Sequence, residues 1–241
     1  GPLLAQDGQD EMPAPILDED VVPLTGWGYD ELYMDGRSAE AFIDDTAVFS
    51  EGGDEIGEVE DLVFGPDGEI RAVIAEVGGF WDIADTHVSI PFSEVERTAS
   101  DDRITVPLTE DTVEDYDVAE RDMFAMEDVS DATVPGVDDA RAGPRAWRAT
   151  ELIGDHARLR DADTYVNYGY VSDLILRDGA VSAVVVQPTG VYRGSGYRAY
   201  PYYGYGAPTG WYAGSPYYDM PYSPADAEGL NTFDNEMVGQ S

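Results

Sequence analysis

Two residue types are missing from this chain altogether. None of its 241 residues is Cys, and none is Lys, since all 13 basic residues are Arg. Without Cys there can be no disulfide, no thiolate metal site and no thiol nucleophile. Without Lys there is no phosphate-binding loop of the glycine-rich, lysine-ended kind, and neither a dinucleotide fingerprint nor a zinc-binding histidine pair is present. Histidine is nearly absent too. His87 and His156 are the only two, so a Ser or Thr nucleophile would have to find its base at one of those positions or at a carboxylate. Each histidine reads as structural or solvent-facing, and the chain is not expected to be an enzyme. No apolar run approaches the roughly 18 residues that a membrane-crossing helix needs.

Positive charge is also scarce. Fifty Asp and Glu against 13 Arg give a formal net charge of −37, and the excess is uneven. Residues 1–140 hold 39 acids and 5 Arg, or −34, whereas residues 141–241 hold 11 acids and 8 Arg, or −3. A polyanionic first half repels nucleic acid and anionic lipid and attracts cations or basic partners. Nucleic-acid binding is therefore not expected.

What the chain does contain is a repeat. Residues 57–80 read GEVEDLVFGPDGEIRAVIAEVGGF and residues 169–191 read GYVSDLILRDGAVSAVVVQPTGV. Matched positions share apolar character: Val59 with Val171, Leu62 with Leu174, Val63 with Ile175, Ile70 with Val181, Ala72 with Ala183, Val73 with Val184. A core is what is repeated, which predicts two small domains of one fold.

The remaining organisation follows from turn and strand signals. Residues 1–38 read as an acidic lead-in with Pro13, Pro15 and Pro23, and Trp27, Tyr29, Leu32 and Tyr33 are expected to tack its end onto the first domain. The opening GPLLAQD resembles the end of a secretory signal, which points to export to the periplasm or beyond. Strands are expected at 46–50, 56–64, 69–77, 87–90 and 103–106, with helical turns at 93–96 and 109–119, the latter capped by Thr109. Pro66-Asp67-Gly68 predicts a reverse turn, and Asp178-Gly179 a tight hairpin in the second copy. Residues 120–145 read as a linker. The second copy is expected over 146–203, with strands near Ala157 and at 168–176 and 180–187. Many short strands and little helix argue for an all-β, mainly antiparallel fold of two small barrels. Residues 204–241 read as an irregular extension, part of a run at 192–222 that holds 10 of the 16 Tyr amid Gly and Pro.

The combination of Glu151-Leu152-Ile153-Gly154, a Gly-x-Val-x-Asp-Leu strand at 169–174, an Asp-Gly turn and a closing Gly resembles the PRC-barrel family. The first copy resembles it more fully, adding Val77-Gly78-Gly79-Phe80 and His87-Val88-Ser89-Ile90-Pro91-Phe92. The likeness covers about 39–118 and 147–203. It implies a small β-barrel, as in the soluble part of the photosynthetic reaction centre H subunit and in a ribosome-maturation factor, where the domain serves as an adaptor docked on a larger partner. It implies no catalytic residue and no cofactor.

Candidate sites are accordingly binding surfaces. Tyr is rigid and amphipathic, suited to partner contact or to closing its own barrel as a lid. Phe80, Trp81, Tyr200, Tyr202, Tyr203, Tyr205, Trp211, Tyr212, Tyr217 and Tyr218 are the candidates for a protein partner or for self-association. For metal, Asp161, Asp163 and Asn167 offer alternating oxygens, and Glu110, Asp111, Glu114, Asp115 and Asp117 would stack on a helical face. Neither has the ligand spacing and central Gly of a tight calcium loop, so weak calcium binding at most is expected. The reading is a non-catalytic exported adaptor or scaffold of the cell envelope. The alternative is an acidic, calcium-responsive envelope or matrix protein.

Overall fold

A computed structural model describes residues 21–81, 83–97, 102–118, 146–204, 211 and 215–239. It is mainly β, with short helical segments and two sheets. The linker at 120–145, most of the acidic lead-in, Tyr205, Tyr212 and the side chain of Phe80 lie outside the described residues.

Two compact units are present, and each is built from more than one stretch of chain. The first-copy unit holds strands β1 (Arg37–Ser38), β2 (Ala47–Ser50), β3 (Glu55–Phe64), β4 (Ile70–Val77), β5 (Thr86–Pro91), β6 (Glu96–Arg97), β7 (Arg103–Val106) and β8 (Trp147–Arg148). Its sheet runs β5-β4-β3-β2-β7-β6, with β8 added to β3. Neighbours pair antiparallel except β2 and β7, which are parallel. Val48, Leu62, Val73, Val88, Ile90 and Ile104 are buried in its core.

The second-copy unit holds β9 (His156–Asp161), β10 (Thr164–Arg177), all but the first residue of β11 (Ala180–Pro188), β12 (Arg198–Pro201) and β13 (Tyr217–Asp219), in the order β12-β11-β10-β9-β13. Here too one pair, β9 with β13, is parallel. The hairpin between β10 and β11 turns on Asp178 and Gly179 alone, both at positive φ (51° and 79°). A two-residue loop of that kind matches the twist of the strands it joins.

Two expectations about chain organisation are corrected. Residues 21–36 belong to the second-copy unit, not the first. The Trp27 indole N–H donates to the Ala199 carbonyl at 2.8 Å, the Tyr29 hydroxyl donates to the Asn231 carbonyl at 2.6 Å, and Tyr33 stacks on Phe233 at 5.2 Å. Trp147–Thr150, conversely, belong to the first-copy unit. Trp147 is fully buried there, stacked on Phe64 at 4.5 Å, with its indole N–H donating to the Gly65 carbonyl at 3.2 Å. The reason is burial of large aromatic surface, which outweighs proximity in sequence.

A third expectation, of a helix over 109–119, is also corrected. Among the described residues, 109–117 form no α-helix, and a short 3-10 turn stands at Val113–Tyr116. The side chains of Thr109 and Thr112 accept each other's backbone N–H, closing a local turn instead of starting a helix.

Candidate functional site: a charged sheet face and its neutral counterpart

Strand register allows the two copies to be compared position by position. Gly57 pairs with Val77 beside Glu58–Glu76, and Gly169 is packed against the backbone of Gln187 and Pro188. A Cβ at either glycine would collide with a cross-strand carbonyl, Glu76 in one copy and Gln187 in the other. The glycine of the Gly-x-Val-x-Asp-Leu motif is thus a steric requirement of strand pairing. Its aspartate is also a matter of local structure. Asp61 and Asp173 are buried, and each accepts the backbone N–H of the following Leu, at 2.8 Å and 2.7 Å. Asp61 further accepts the Thr150 hydroxyl at 2.6 Å, and burial raises its pKa despite these hydrogen bonds.

The same register places the Tyr-rich segment inside the repeat. Val73 pairs with Ile90, and its counterpart Val184 pairs with Tyr200. Ala47 pairs with Arg103, and its counterpart His156 pairs with Tyr217. Tyr200 therefore stands where the first copy has Ile90, and Tyr218 where it has Ile104. All four are buried. The Tyr200 hydroxyl donates to the Tyr168 hydroxyl at 2.8 Å, and the Tyr218 hydroxyl accepts the Tyr203 N–H at 3.0 Å. Desolvation drives the pKa of both tyrosines far above the ordinary phenol range. Trp211 is fully buried as well and donates to Asp155 at 3.1 Å.

These placements narrow the list of partner-binding candidates. Tyr200, Tyr218 and Trp211 face the interior of their own unit, and no surface contact can use them while it is folded. Tyr202, Tyr203, Tyr217 and Trp81 are half-buried and keep some access to solvent. Tyr217 is engaged by the Arg158 guanidinium, 3.7 Å above its ring. Arg158 is also paired to Asp219 at 2.5 Å, and that hydrogen bond raises its pKa. The first copy makes the inverse contact at these stations, with Arg103 lying 4.0 Å over the ring of Phe49.

The oxygen ligands proposed from sequence do not converge. Asp161 and Asn167 lie in one hairpin, where Asp161 pairs with Thr164 and Asn167 with Arg158. Three strand steps separate them, and an odd number of steps turns their side chains to opposite faces of the hairpin, away from one calcium ion. Asp161, Asp163 and Asn167 are all exposed. Glu110, Asp111, Glu114, Asp115 and Asp117 lack the helix that would have stacked them.

A different group does converge, on the outer face of the first copy. Glu76 on β4 pairs directly with His87 on β5. On β3 the register shifts between Val59 and Asp61, leaving Glu60 as the extra residue of a bulge. Bulges re-aim side chains, and here consecutive Glu60 and Asp61 line one cavity together with Ile74, Asp85, His87 and Arg148. His87 Nε2 lies 2.9 Å from Glu60 Oε2 and 3.4 Å from Glu76 Oε2. A hydrogen bond with Glu60 is the leading cause of a raised pKa at Glu76. The cavity measures about 610 Å³. A neighbouring cavity of about 440 Å³ shares Asp85 and adds Asp44, Asp45, Glu55, Glu58 and Glu76, with no basic residue in its lining.

At the matching stations of the second copy stand Ser172, Gln187 and Tyr197. Tyr170 and Tyr197 both donate hydroxyls to Gln187 Oε1, the latter at 3.2 Å, and the Ser172 hydroxyl donates to the Val185 carbonyl at 3.3 Å. That network is neutral. Sequence reasoning weighed His87 by itself and missed its partners, because Glu60, Glu76 and His87 are brought together by register across three strands and share no local motif.

A model of the PRC-barrel domain matches residues 41–113. No curated protein matches the chain. Among the described residues no helix is long and apolar enough to cross a membrane. With the matched span running through the hairpin, the acidic face and β7, this chain carries a PRC-barrel domain over residues 41–113.

Proposed function

We propose that the protein is a non-catalytic adaptor or scaffold of the cell envelope, exported, with the acidic face of its PRC-barrel domain offered to a basic partner. The observation that carries this reading is the cavity walled by Asp44, Asp45, Glu55, Glu58, Glu76 and Asp85 without an opposing Arg. A concave face of one sign focuses the field of its charges, speeds encounter with a cationic surface and repels acidic ones. The fold supports the reading in a second way, because the motif residues Gly57 and Asp61 are engaged in strand pairing and backbone hydrogen bonds.

The test uses the full chain as bait in an envelope extract, beside a variant carrying D44N, E55Q and E58Q. Recovery of a basic partner that falls in the variant, and falls again as salt is raised, supports the reading. Equal recovery by both baits at low and high salt overturns it.

The alternative, a calcium-responsive envelope or matrix protein, draws on the overall charge and on the carboxylates around these cavities. It predicts assembly that depends on calcium, whereas an adaptor forms a defined complex at any calcium level.

A further inference from the structure

We infer that Glu60, Glu76 and His87 form a binding site for a first-row divalent transition-metal ion, of which zinc is the representative. One ligand atom from each lies within 4.8 Å of both others. A zinc ion holding ligands at about 2.0–2.2 Å in tetrahedral array sets those atoms roughly 3.3–3.6 Å apart. The His87 to Glu76 separation, 3.4 Å, already has that value, and the 2.9 Å to Glu60 needs to open by only a few tenths of an ångström. Adjacent β-strands hold the three residues, so the site is preformed by the sheet and not by a loop.

The ligand set decides the class of ion. Calcium and magnesium take oxygen ligands, and an imidazole nitrogen between two carboxylates suits zinc and its neighbours. Three protein ligands leave at least one position for water, and the surroundings can receive it. Thr46 is almost fully buried, its hydroxyl has no hydrogen-bond partner, and it lines the cavity that includes Glu76. The Ser89 hydroxyl is likewise buried and unpartnered, two residues along β5 from His87 and therefore on the same face, with its cross-strand partner Ile74 in the cavity wall. Buried hydroxyls without partners are unusual, and an ordered water is the common remedy.

The second copy supplies an internal contrast. Its Ser172, Gln187 and Tyr197 stand on the same frame and offer no charged ligand, so pairing of the strands does not itself demand Glu, Glu and His. The site shares Glu76 with the cavity that carries the adaptor reading but does not rest on that reading, since a basic partner requires charge and not an imidazole.

The experiment is zinc titration of the full chain, stripped with chelator, by calorimetry in salt high enough to screen diffuse binding. Expected is one tight zinc per chain, weakened roughly tenfold or more by H87Q, by E60Q and by E76Q, and unchanged by H156Q. His87 is half exposed, so H87Q is expected to keep its circular dichroism. Cobalt in place of zinc gives visible absorption that H87Q abolishes, and imidazole NMR of the unaltered chain shows His87 shifting on zinc addition while His156 does not. Zinc binding by H87Q equal to that of the unaltered chain overturns the proposal, as does equal affinity for zinc and calcium that vanishes with salt.

Discussion

The two copies share a backbone plan and differ in what they place on it. Both use a motif glycine to let strands approach, a motif aspartate to hold the next backbone N–H, and one parallel pair beside antiparallel ones. At the core stations the first copy uses Ile90 and Ile104, and the second uses Tyr200 and Tyr218. On the outer face the first copy gathers Glu60, Glu76 and His87, and the second closes a neutral network around Gln187. Frame and surface are thus separable: pairing geometry constrains a few positions tightly, and the rest carry the specialisation.

The sharpest way to break this comparison is at Trp147, which lies in the second copy's sequence but in the first copy's unit. Trp147→Ala is expected to cost about 3–5 kcal/mol, the usual range for a large buried aromatic. Hydrogen exchange should then show lost protection in β3 and β4, with β10 and β11 retained; loss confined to β10 and β11 would contradict the unit boundaries.

Next in size is Tyr200→Ile, which gives the second copy the residue its counterpart uses. It removes ring volume and the hydroxyl bonded to Tyr168, an expected loss of about 2–3 kcal/mol in denaturant unfolding. An unchanged midpoint would mean that Tyr200 is not part of a packed core. Removing residues 192–222 altogether would take away β12 and β13, so point variants at Tyr202, Tyr203 and Tyr217 are the cleaner probe of a docking role for that segment.

A smaller effect is expected at Asp155, whose pKa burial raises from 3.8 to about 6. The folded chain keeps this proton at a pH where the unfolded chain has lost it. The contribution is therefore complete below about pH 4 and fades as pH rises through about 6. Asp155→Asn keeps an acceptor for Trp211 and removes the penalty, so at pH 7 it is expected to be more stable by about 1 kcal/mol, after discounting for partial exposure. The gain should vanish near pH 4. A difference independent of pH would assign the effect to something other than the carboxylate.

Smallest is His87→Tyr, which installs the second copy's residue at an exposed station and should change stability by no more than about 0.5 kcal/mol.

Much of the frame was legible in the sequence. The paired hairpins announced themselves through Gly-x-Val-x-Asp-Leu and an Asp-Gly turn, because those residues are dictated by backbone geometry. The Tyr-rich strands were harder to read. Tyr197 to Tyr202 matches His87 to Phe92 only at Pro201 and Pro91, and Tyr at an Ile station amid Gly and Pro reads as irregular chain. Tyr217–Asp219 was harder still, since a short parallel strand leaves little periodicity. Glu60, Glu76 and His87 were illegible for a different reason: their meeting depends on a bulge and on cross-strand register, which no local spacing encodes.

The separation of frame and surface is tested most directly by giving the first copy the second copy's residues at the outer face, in the triple variant E60S, E76Q and H87Y. The account predicts native circular dichroism, cooperative unfolding at an unchanged or higher midpoint and loss of tight zinc binding. Loss of cooperative unfolding, or zinc binding equal to that of the unaltered chain, would contradict it.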